Sequence, residues 1–421
     1  MNRVDLLYGD GTLPVELPPA RVQIITPPCA HPLADEAAAC REAFARPIAS
    51  RPLREILRGV RRLAVVIPDG TRPLPFERLL NWLFEETDAM GCECTIVVGT
   101  GSHRANTPAE LERMLGSRIL RERKVINHNA FDAQTLALAG TGYDGHPVRM
   151  NRAVVEADAR IALGFIEPHF VAGFSGGYKA VMPGVADIAT ILHYHRAQVI
   201  GDPRSTWGVL EGNPTQHIVR SYGQLCPIDF LINITMTPRK EITGFFCGDP
   251  LAAHEAGCDH IKEEAMVGVD EEFPIVITCN NGFPLDQSLY QAVKGMSAAA
   301  MIVRDGGLIL QASECRDGFP DHGNFRQLLF DHPDAASLLA TINAPGFSLF
   351  DQWEAQLLGM IRQRARIGLH SLLPPDEVRR AYLEPVPCIA TAVREELDRI
   401  GGDGPVAVLP NGFMSVPYVR R

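Results

Sequence analysis

Three strand-like runs each break off into a polar loop: the continuous apolar RLAVVIP at Arg62–Pro68, residues 92–98 and residues 161–165. A run without polar alternation reads as a strand buried on both faces of a parallel sheet. Helical stretches separate these runs. One spans 76–90, with Pro75 near its start. Another is opened by Thr107-Pro108, with Glu110 three residues after Thr107 in capping-box spacing. Strand alternating with helix means an open parallel α/β sheet. In such sheets ligands sit beyond the carboxyl ends of the strands. The loops DGTRP (69–73), GTGSHR (99–104) and the IEPH to SGGYK stretch (166–179) therefore gather on one edge.

The densest stretch is 164–195, GFIEPHFVAGFSGGYKAVMPGVADIATILHYH. It brings His169, a Ser175-Gly176-Gly177 turn, Lys179 and the pair His193 and His195 into a short span. The glycines let backbone approach a ligand without a Cβ in the way. Lys179 adjoins the apolar run 180–182, and a partly desolvated lysine has a lowered pKa and can act as a nucleophile. Taken one at a time, these residues also fit a plain glycine turn, a surface lysine and core histidines.

At 421 residues the chain predicts two domains. The acidic, proline-containing link 271–274 reads as the boundary, giving an N-terminal α/β domain over 1–270 and a C-terminal one over 271–421. The start reads as strand, turn at 9–11, strand. Residues 35–60 and 249–268 read as helical, and Phe230–Met236 as a strand. Past the boundary come a strand at 275–279, a helix from Ser288, a strand at 306–311, helices near 324–341, 351–364 and 391–400, and a last strand at 405–409. On the helix from Ser288, Gln291 and Lys294 are three apart and share a face.

A net charge of -10 disfavours nucleic acid and anionic membranes as partners, since both reward a basic face. No apolar run approaches the ~20 residues that span a bilayer. The start lacks a basic region followed by an apolar one, so no secretion signal is expected. Ten cysteines lie scattered, and only Cys92 and Cys94 are close. In a strand that spacing puts both thiols on one face, and it is not a zinc-ribbon spacing. Reduced core cysteines in a cytoplasmic protein are the expectation.

The opening YGDGTLPVELP, then DGTRP, GTGSHR, EPHFVAGFSGGYK, the histidine at 195, DQSLYQAVKG and Trp353 follow one another in an order and spacing that resemble the nickel-pincer lactate racemase family. The resemblance covers nearly the whole chain. It implies two α/β domains with mostly parallel sheets and an active site in the interdomain cleft. It also implies nickel carried by a pyridinium-3,5-bisthiocarboxylic acid mononucleotide, one of whose sulfur arms is joined to a lysine matched by Lys179. The nickel-binding histidine is matched by His195, chosen for its spacing from Lys179, with His193 the competing candidate. The two proton-handling histidines correspond to His103 and His169. Contacts to cofactor or substrate correspond to Asp69, Thr71, Arg72, Tyr290, Gln291, Lys294 and Trp353. Cofactor-assembly and nickel-insertion proteins follow as partners, and a small 2-hydroxy acid as substrate. Tyr178 and Met182, flanking the lysine, bear on the pocket's shape and leave the C3 group of that substrate open.

The chemistry needs such a set. The C2 proton of a 2-hydroxy carboxylate is a very weak acid, so abstracting it faces a large barrier. Removing hydride while the hydroxyl proton leaves gives a planar 2-keto acid, which can be reduced from either face. Inversion then needs a base on each side, and histidines suit this with pKa about 6.5. Arg72 and Lys294 are available to anchor the carboxylate, arginine through two parallel hydrogen bonds. Backbone amides in the loop at Gly101 and Ser102 are available to a phosphate, although the loop also fits an ordinary strand-to-helix turn. A Schiff-base lysine enzyme using pyridoxal phosphate is an alternative that leaves the histidines without roles. A non-catalytic carrier or sensor of the nickel cofactor has no need of both His103 and His169. A zinc hydrolase is the weakest alternative, because no HExxH or comparable set appears.

Overall fold

The computed structural model describes residues 2–28, 30–237, 239–320, 323–402 and 404–420. The chain gathers into two compact units. The first comprises Cys29–Tyr194 and Gly208–Glu263, the second Met1–Pro28, His195–Trp207 and Glu264–Arg421. The sequence predicts one cut at 270/271, but the second unit also recruits two earlier segments. The N-terminal hairpin, Asn2–Tyr8 paired with Gly11–Leu17, completes that unit's core by packing Val4, Leu6, Val15 and Leu17 with Ile275, Ile277, Leu308 and Val408. The segment His195–Trp207 is held at both ends. Gln356 Nε2 donates to Ala197 O at 2.8 Å, and Trp207 Nε1 to Ser297 Oγ at 2.7 Å. Such long-range pairings leave no local periodicity in a sequence.

The first unit is a doubly wound sheet. Its strands lie in the order Lys124–Asn127, Glu93–Gly99, Arg62–Pro68, Ala159–Phe165, Phe230–Met236, Ile242–Gly248. All neighbours are parallel except the last pair, a return hairpin. The expected two-sided burial holds, since Leu63, Ala64, Val65, Val66 and Ile67 are each at most 1% exposed. The helix Phe76–Ala89 buries Phe76, Leu79, Leu80, Leu83, Phe84 and Thr87, one stripe at helical spacing. The helix Pro108–Glu122 starts with the expected capping box, Thr107 N–H donating to Glu110 Oε2 at 2.7 Å and Glu110 N–H to Thr107 Oγ1 at 3.3 Å. Cys92 and Cys94 are buried in the same core.

The second unit carries another all-parallel sheet, ordered Glu384–Pro385, Arg366–His370, Val303–Ala312, Phe273–Cys279, Val406–Leu409, Val22–Ile24. The helix Leu289–Ala300 is capped by Ser288, whose hydroxyl accepts from Gln291 N–H at 3.5 Å. Two expectations need correcting. Helix Ala252–Ala265 stops before 268, because residues 266–269, MVGV, form a strand parallel to Val416–Val419. That pairing also makes Val416–Val419, rather than 405–409, the last strand. Among the described residues no helix is long and apolar enough to cross a membrane.

Candidate active site

In the first unit the strand order runs outward on both sides of Arg62–Pro68: the chain moves to Glu93–Gly99 and Lys124–Asn127, then returns to Ala159–Phe165 on the opposite flank. Arg62–Pro68 and Ala159–Phe165 therefore flank the topological switch point, where open α/β sheets leave a crevice beyond the strand ends. The loops leaving these two strands carry Asp69, Thr71 and Arg72 on one side, His169 and Lys179 on the other. His103 follows Glu93–Gly99.

Asp69 is 5% exposed and fully used. Its Oδ1 accepts from Thr71 N–H at 3.1 Å and Thr71 Oγ1 at 2.5 Å, and its Oδ2 lies 2.7 Å from His103 Nδ1. Burial pushes its pKa up, but the bonds from His103 and Thr71 and the charge of Arg72 outweigh this and hold it below the ordinary value. An ionised Asp69 makes His103 Nδ1 the donor and leaves the ring's lone pair at Nε2. His169 is in the opposite state. It sits in the two-residue strand Pro168–His169, paired with Gly173–Phe174. Its Nδ1 accepts from the amides of Val171 and Ala172 at 3.2 and 3.1 Å, which puts the neutral ring's proton on Nε2.

Lys179 lies in the short 3₁₀ turn Gly177–Ala180, its Nζ 3.3 Å from Tyr194 Oη. Desolvation, aided by the charge of Arg72 and opposed by that of Glu167, lowers its pKa to about 7. A large part of this lysine is thus an uncharged amine at neutral pH. The turn before it is built for close approach. Gly176 and Gly177 have φ +81° and +57°. A Cβ on Gly177 would stand 2.7 Å from His254 Cγ, and one on Gly176 2.6 Å from Asn233 Oδ1. Asn233 Oδ1 accepts from Gly177 N–H at 2.8 Å, and His254 Nε2 bonds Ser175 O at 2.9 Å. Gly177→Ala should therefore destabilise the fold by about 1–3 kcal/mol. Thermal unfolding reads this, and an unchanged Tm would contradict the cradle.

Five other residues singled out in the sequence are placed as follows. The amide of Gly101 donates to Gly184 O at 2.9 Å, so it is already engaged in tying GTGSHR to the lysine loop, while Ser102 is half-buried. Tyr178 and Met182 are core side chains. Tyr178 packs so closely on Gly223 that a Cβ there would come within 2.6 Å of its ring. His193 closes the helix Ile188–Tyr194. Its Nε2 lies 2.8 Å from Asp144 Oδ2, and its ring stacks on His146 at 4.2 Å.

His195 belongs to the second unit and stacks on Trp353 at 4.2 Å. Trp353 Nε1 donates to Tyr290 Oη at 3.1 Å, and Tyr290 Oη to Asp351 Oδ1 at 3.4 Å. Lys294 Nζ donates to Gln291 Oε1 at 2.8 Å. Tyr290, Gln291 and Lys294 all stand on the first two turns of Leu289–Ala300, the helix that follows the carboxyl end of Phe273–Cys279.

Residues 8–208 match the family model described as the lactate racemase N-terminal domain, and residues 270–416 the lactate racemase C-terminal domain. A protein named lactate racemase from Thermoanaerobacterium thermosaccharolyticum is 31% identical over 98% of this chain and 98% of its own. One of the same name from Lactiplantibacillus plantarum is 32% identical over 91% of each. The chain belongs to the lactate racemase family. It is accordingly an enzyme of the isomerase class. The solved lactate racemase apoprotein from T. thermosaccharolyticum superposes with a TM-score of 0.93 at 30% identity, covering all of both chains. A Thermotoga maritima protein shares the fold at 20% identity, with a TM-score of 0.70 over 93% of this chain and all of its own.

The residues present are compatible with the group that the sequence resemblance implies. An uncharged, oriented lysine amine suits a link to a thioacid arm, and imidazole suits nickel. Asn233 and His254, which shape the lysine turn, were not singled out in the sequence. Asn233 is a polar residue in the middle of the apolar strand FLINITM, and that was the available signal. His254 has none, because a helix histidine in AAHEAGC looks like any other.

Proposed function

We propose that this chain is a racemase or epimerase of 2-hydroxy carboxylic acids that inverts C2 with a nickel-pincer nucleotide joined to Lys179. The observation that carries the reading is the lysine itself, held on a glycine turn with its pKa lowered to about 7. His195 is the nickel ligand in this reading. The choice over His193, which has Nε2 against Asp144 and its face on His146, rests on the match of His195 to the family's spacing from Lys179. Hydride acceptance and return at C2 is the chemistry the group supplies when bound.

The chain's own residues handle the proton and the charge. His103, oriented by Asp69, takes the substrate hydroxyl proton at Nε2. His169 starts in this direction as the imidazolium and returns a proton from Nε2 to the hydroxyl on the other side, ending as the neutral ring. Inversion in one direction starts from these states, and the reverse direction starts with the roles exchanged. Arg72 and Lys294 anchor anionic groups of substrate or cofactor. Cofactor-assembly and nickel-insertion proteins supply the loaded enzyme. A carrier of the cofactor has no use for an oriented Asp69–His103 pair, which favours the enzyme reading.

The test is a panel of single-enantiomer 2-hydroxy acids given to the cofactor-loaded enzyme and followed by chiral chromatography. Lactate, on which the relatives' names rest, comes first, then malate, longer aliphatic hydroxy acids and sugar acids. Interconversion of at least one pair is expected. Inactivity on all of them would overturn the proposal. Borohydride trapping at Lys179 would point instead to the Schiff-base alternative.

A further inference from the structure

Tyr194 is a buried polar side chain that the mechanism above leaves unused. It closes the helix Ile188–Tyr194 and is 1% exposed. Burial pushes its phenol well above the ordinary range, so it stays a neutral hydroxyl. A buried tyrosine needs no role beyond packing, but two distances give this one more. Lys179 Nζ donates to Tyr194 Oη at 3.3 Å, and the same Nζ stands 5.8 Å from the centroid of the Tyr194 ring. Hydroxyl and ring face of one side chain thus both meet the amine on which the proposed attachment depends. The helix that carries Tyr194 is itself pinned. Ile188 N–H donates to Ala130 O at 3.0 Å, Asp187 N–H to Arg149 O at 3.0 Å, and Asp187 Oδ1 accepts from Thr190 N–H at 3.1 Å. His146 Nε2 lies 3.2 Å from Thr190 Oγ1, and Asp144 Oδ2 lies 2.8 Å from His193 Nε2. Asp144 and His146 belong to the turn that joins Leu136–Thr141 to Pro147–Asn151, so the helix is tied to that hairpin at two points.

We infer that Tyr194 is a positioning residue for cofactor attachment: its hydroxyl takes an N–H of Lys179 and its ring bears on the same nitrogen, which holds the amine in one place at the end of a flexible stem. The inference rests on the reading of Lys179 as the attachment point. One N–H directed at Oη turns the lone pair of the uncharged amine away from the phenol and leaves it to an electrophile. The bond also has a sign. A hydroxyl oxygen accepts more strongly from an ammonium than from an amine, so Oη favours the charged form of Lys179. Arg72 opposes that form and Glu167 supports it. The other charged or titratable groups on elements packed against Gly177–Ala180 have partners of their own. Arg62 pairs with Asp158, Arg160 with Asp229 and Arg220 with Glu255, while His217 faces Tyr143. His254 is held by Ser175 O.

The test compares cofactor-free unmodified protein with Tyr194→Phe, which keeps the ring and removes the hydroxyl. Lys179 is acetylated with acetic anhydride across a range of pH, and the labelled peptide is read by mass. The midpoint of Lys179 should lie lower in Tyr194→Phe than in the unmodified protein. A merely structural role predicts the reverse, because a loosened site admits water and moves the midpoint up towards about 10.4. A midpoint that rises or stays put overturns the inference. Both proteins are then incubated with the nickel-pincer nucleotide at a pH above both midpoints, and the adduct is followed by intact mass. Its rate of formation should fall about tenfold in Tyr194→Phe. If Tyr194→Phe fails to fold, unmodified protein labelled with carbon-13 at tyrosine Cζ decides. One tyrosine signal should then shift with the midpoint of Lys179 and should stop doing so in Lys179→Met, and absence of such a signal overturns the inference. Failure of the unmodified protein to take up any adduct defeats the reading of Lys179 and this inference with it. An adduct that forms at equal rates on both proteins overturns the inference alone, so the two failures are distinguishable.

Discussion

Replacing Lys179 with alanine reduces racemisation to background and removes the covalent adduct from the intact mass of the protein. No other residue supplies an amine in the SGGYK turn, so the loss is expected to be total. The lowered pKa adds two pH-dependent results. Attachment should fall away as pH drops below about 7, where the amine becomes protonated. Stability moves with it. A lysine whose folded pKa lies below its unfolded value of about 10.4 contributes stability that is present above about pH 10.4 and is lost as pH falls towards 7. Cofactor-free Lys179→Met should therefore melt above the unmodified protein at pH 7, and the gap should close towards pH 10. A gap that stays constant with pH, or full activity of Lys179→Ala, would remove this lysine from the centre of the account.

The second large effect belongs to the two histidines. His103→Ala and His169→Ala should each lower the interconversion rate by roughly 10²–10⁴-fold, the range for a positioned acid or base. The double variant should be little worse than either single one, because groups that act as a unit are not additive. Asp69→Asn should cost on the order of 10–100-fold by loosening the tautomer and orientation of His103. That variant should add little to His103→Ala, whose ring it serves. Cost that multiplies across Asp69→Asn and His103→Ala would mean that Asp69 acts elsewhere.

Much of the first unit was legible because its signals are local. The unbroken apolar run 62–68 can only be a strand covered on both faces, and the Thr107–Glu110 spacing marks a helix start with its own hydrogen bonds. Loops at the ends of such strands have to share an edge, which brings Asp69, His103 and the lysine loop together. What was not legible depends on long-range contacts. The hairpin at the N-terminus reads correctly as strand, turn, strand, yet nothing in YGDGTLPVELP says which unit's core Leu6 and Leu17 complete. Residues 266–269 extend a helix by composition and become a strand only because Val416–Val419 lies alongside. The same limit applies to the site. DGTRP and GTGSHR announce polar loops, but the tautomers of His103 and His169 are set by a carboxylate 34 positions away and by backbone amides.

The most direct test of the account follows the hydrogen at C2. One enantiomer of the 2-hydroxy acid, deuterated at C2, is converted by the loaded enzyme in ordinary water. The opposite enantiomer is then isolated after the first turnovers and weighed for label. If C2 is inverted by hydride removal and return, with His103 and His169 handling only the hydroxyl proton, the inverted product keeps much of its deuterium. Transfer should also slow with the heavier isotope if that step limits the rate. Complete washout of the label in the first turnover would mean that C2 loses a proton to an exchanging base, and would contradict the account whatever the histidine variants did.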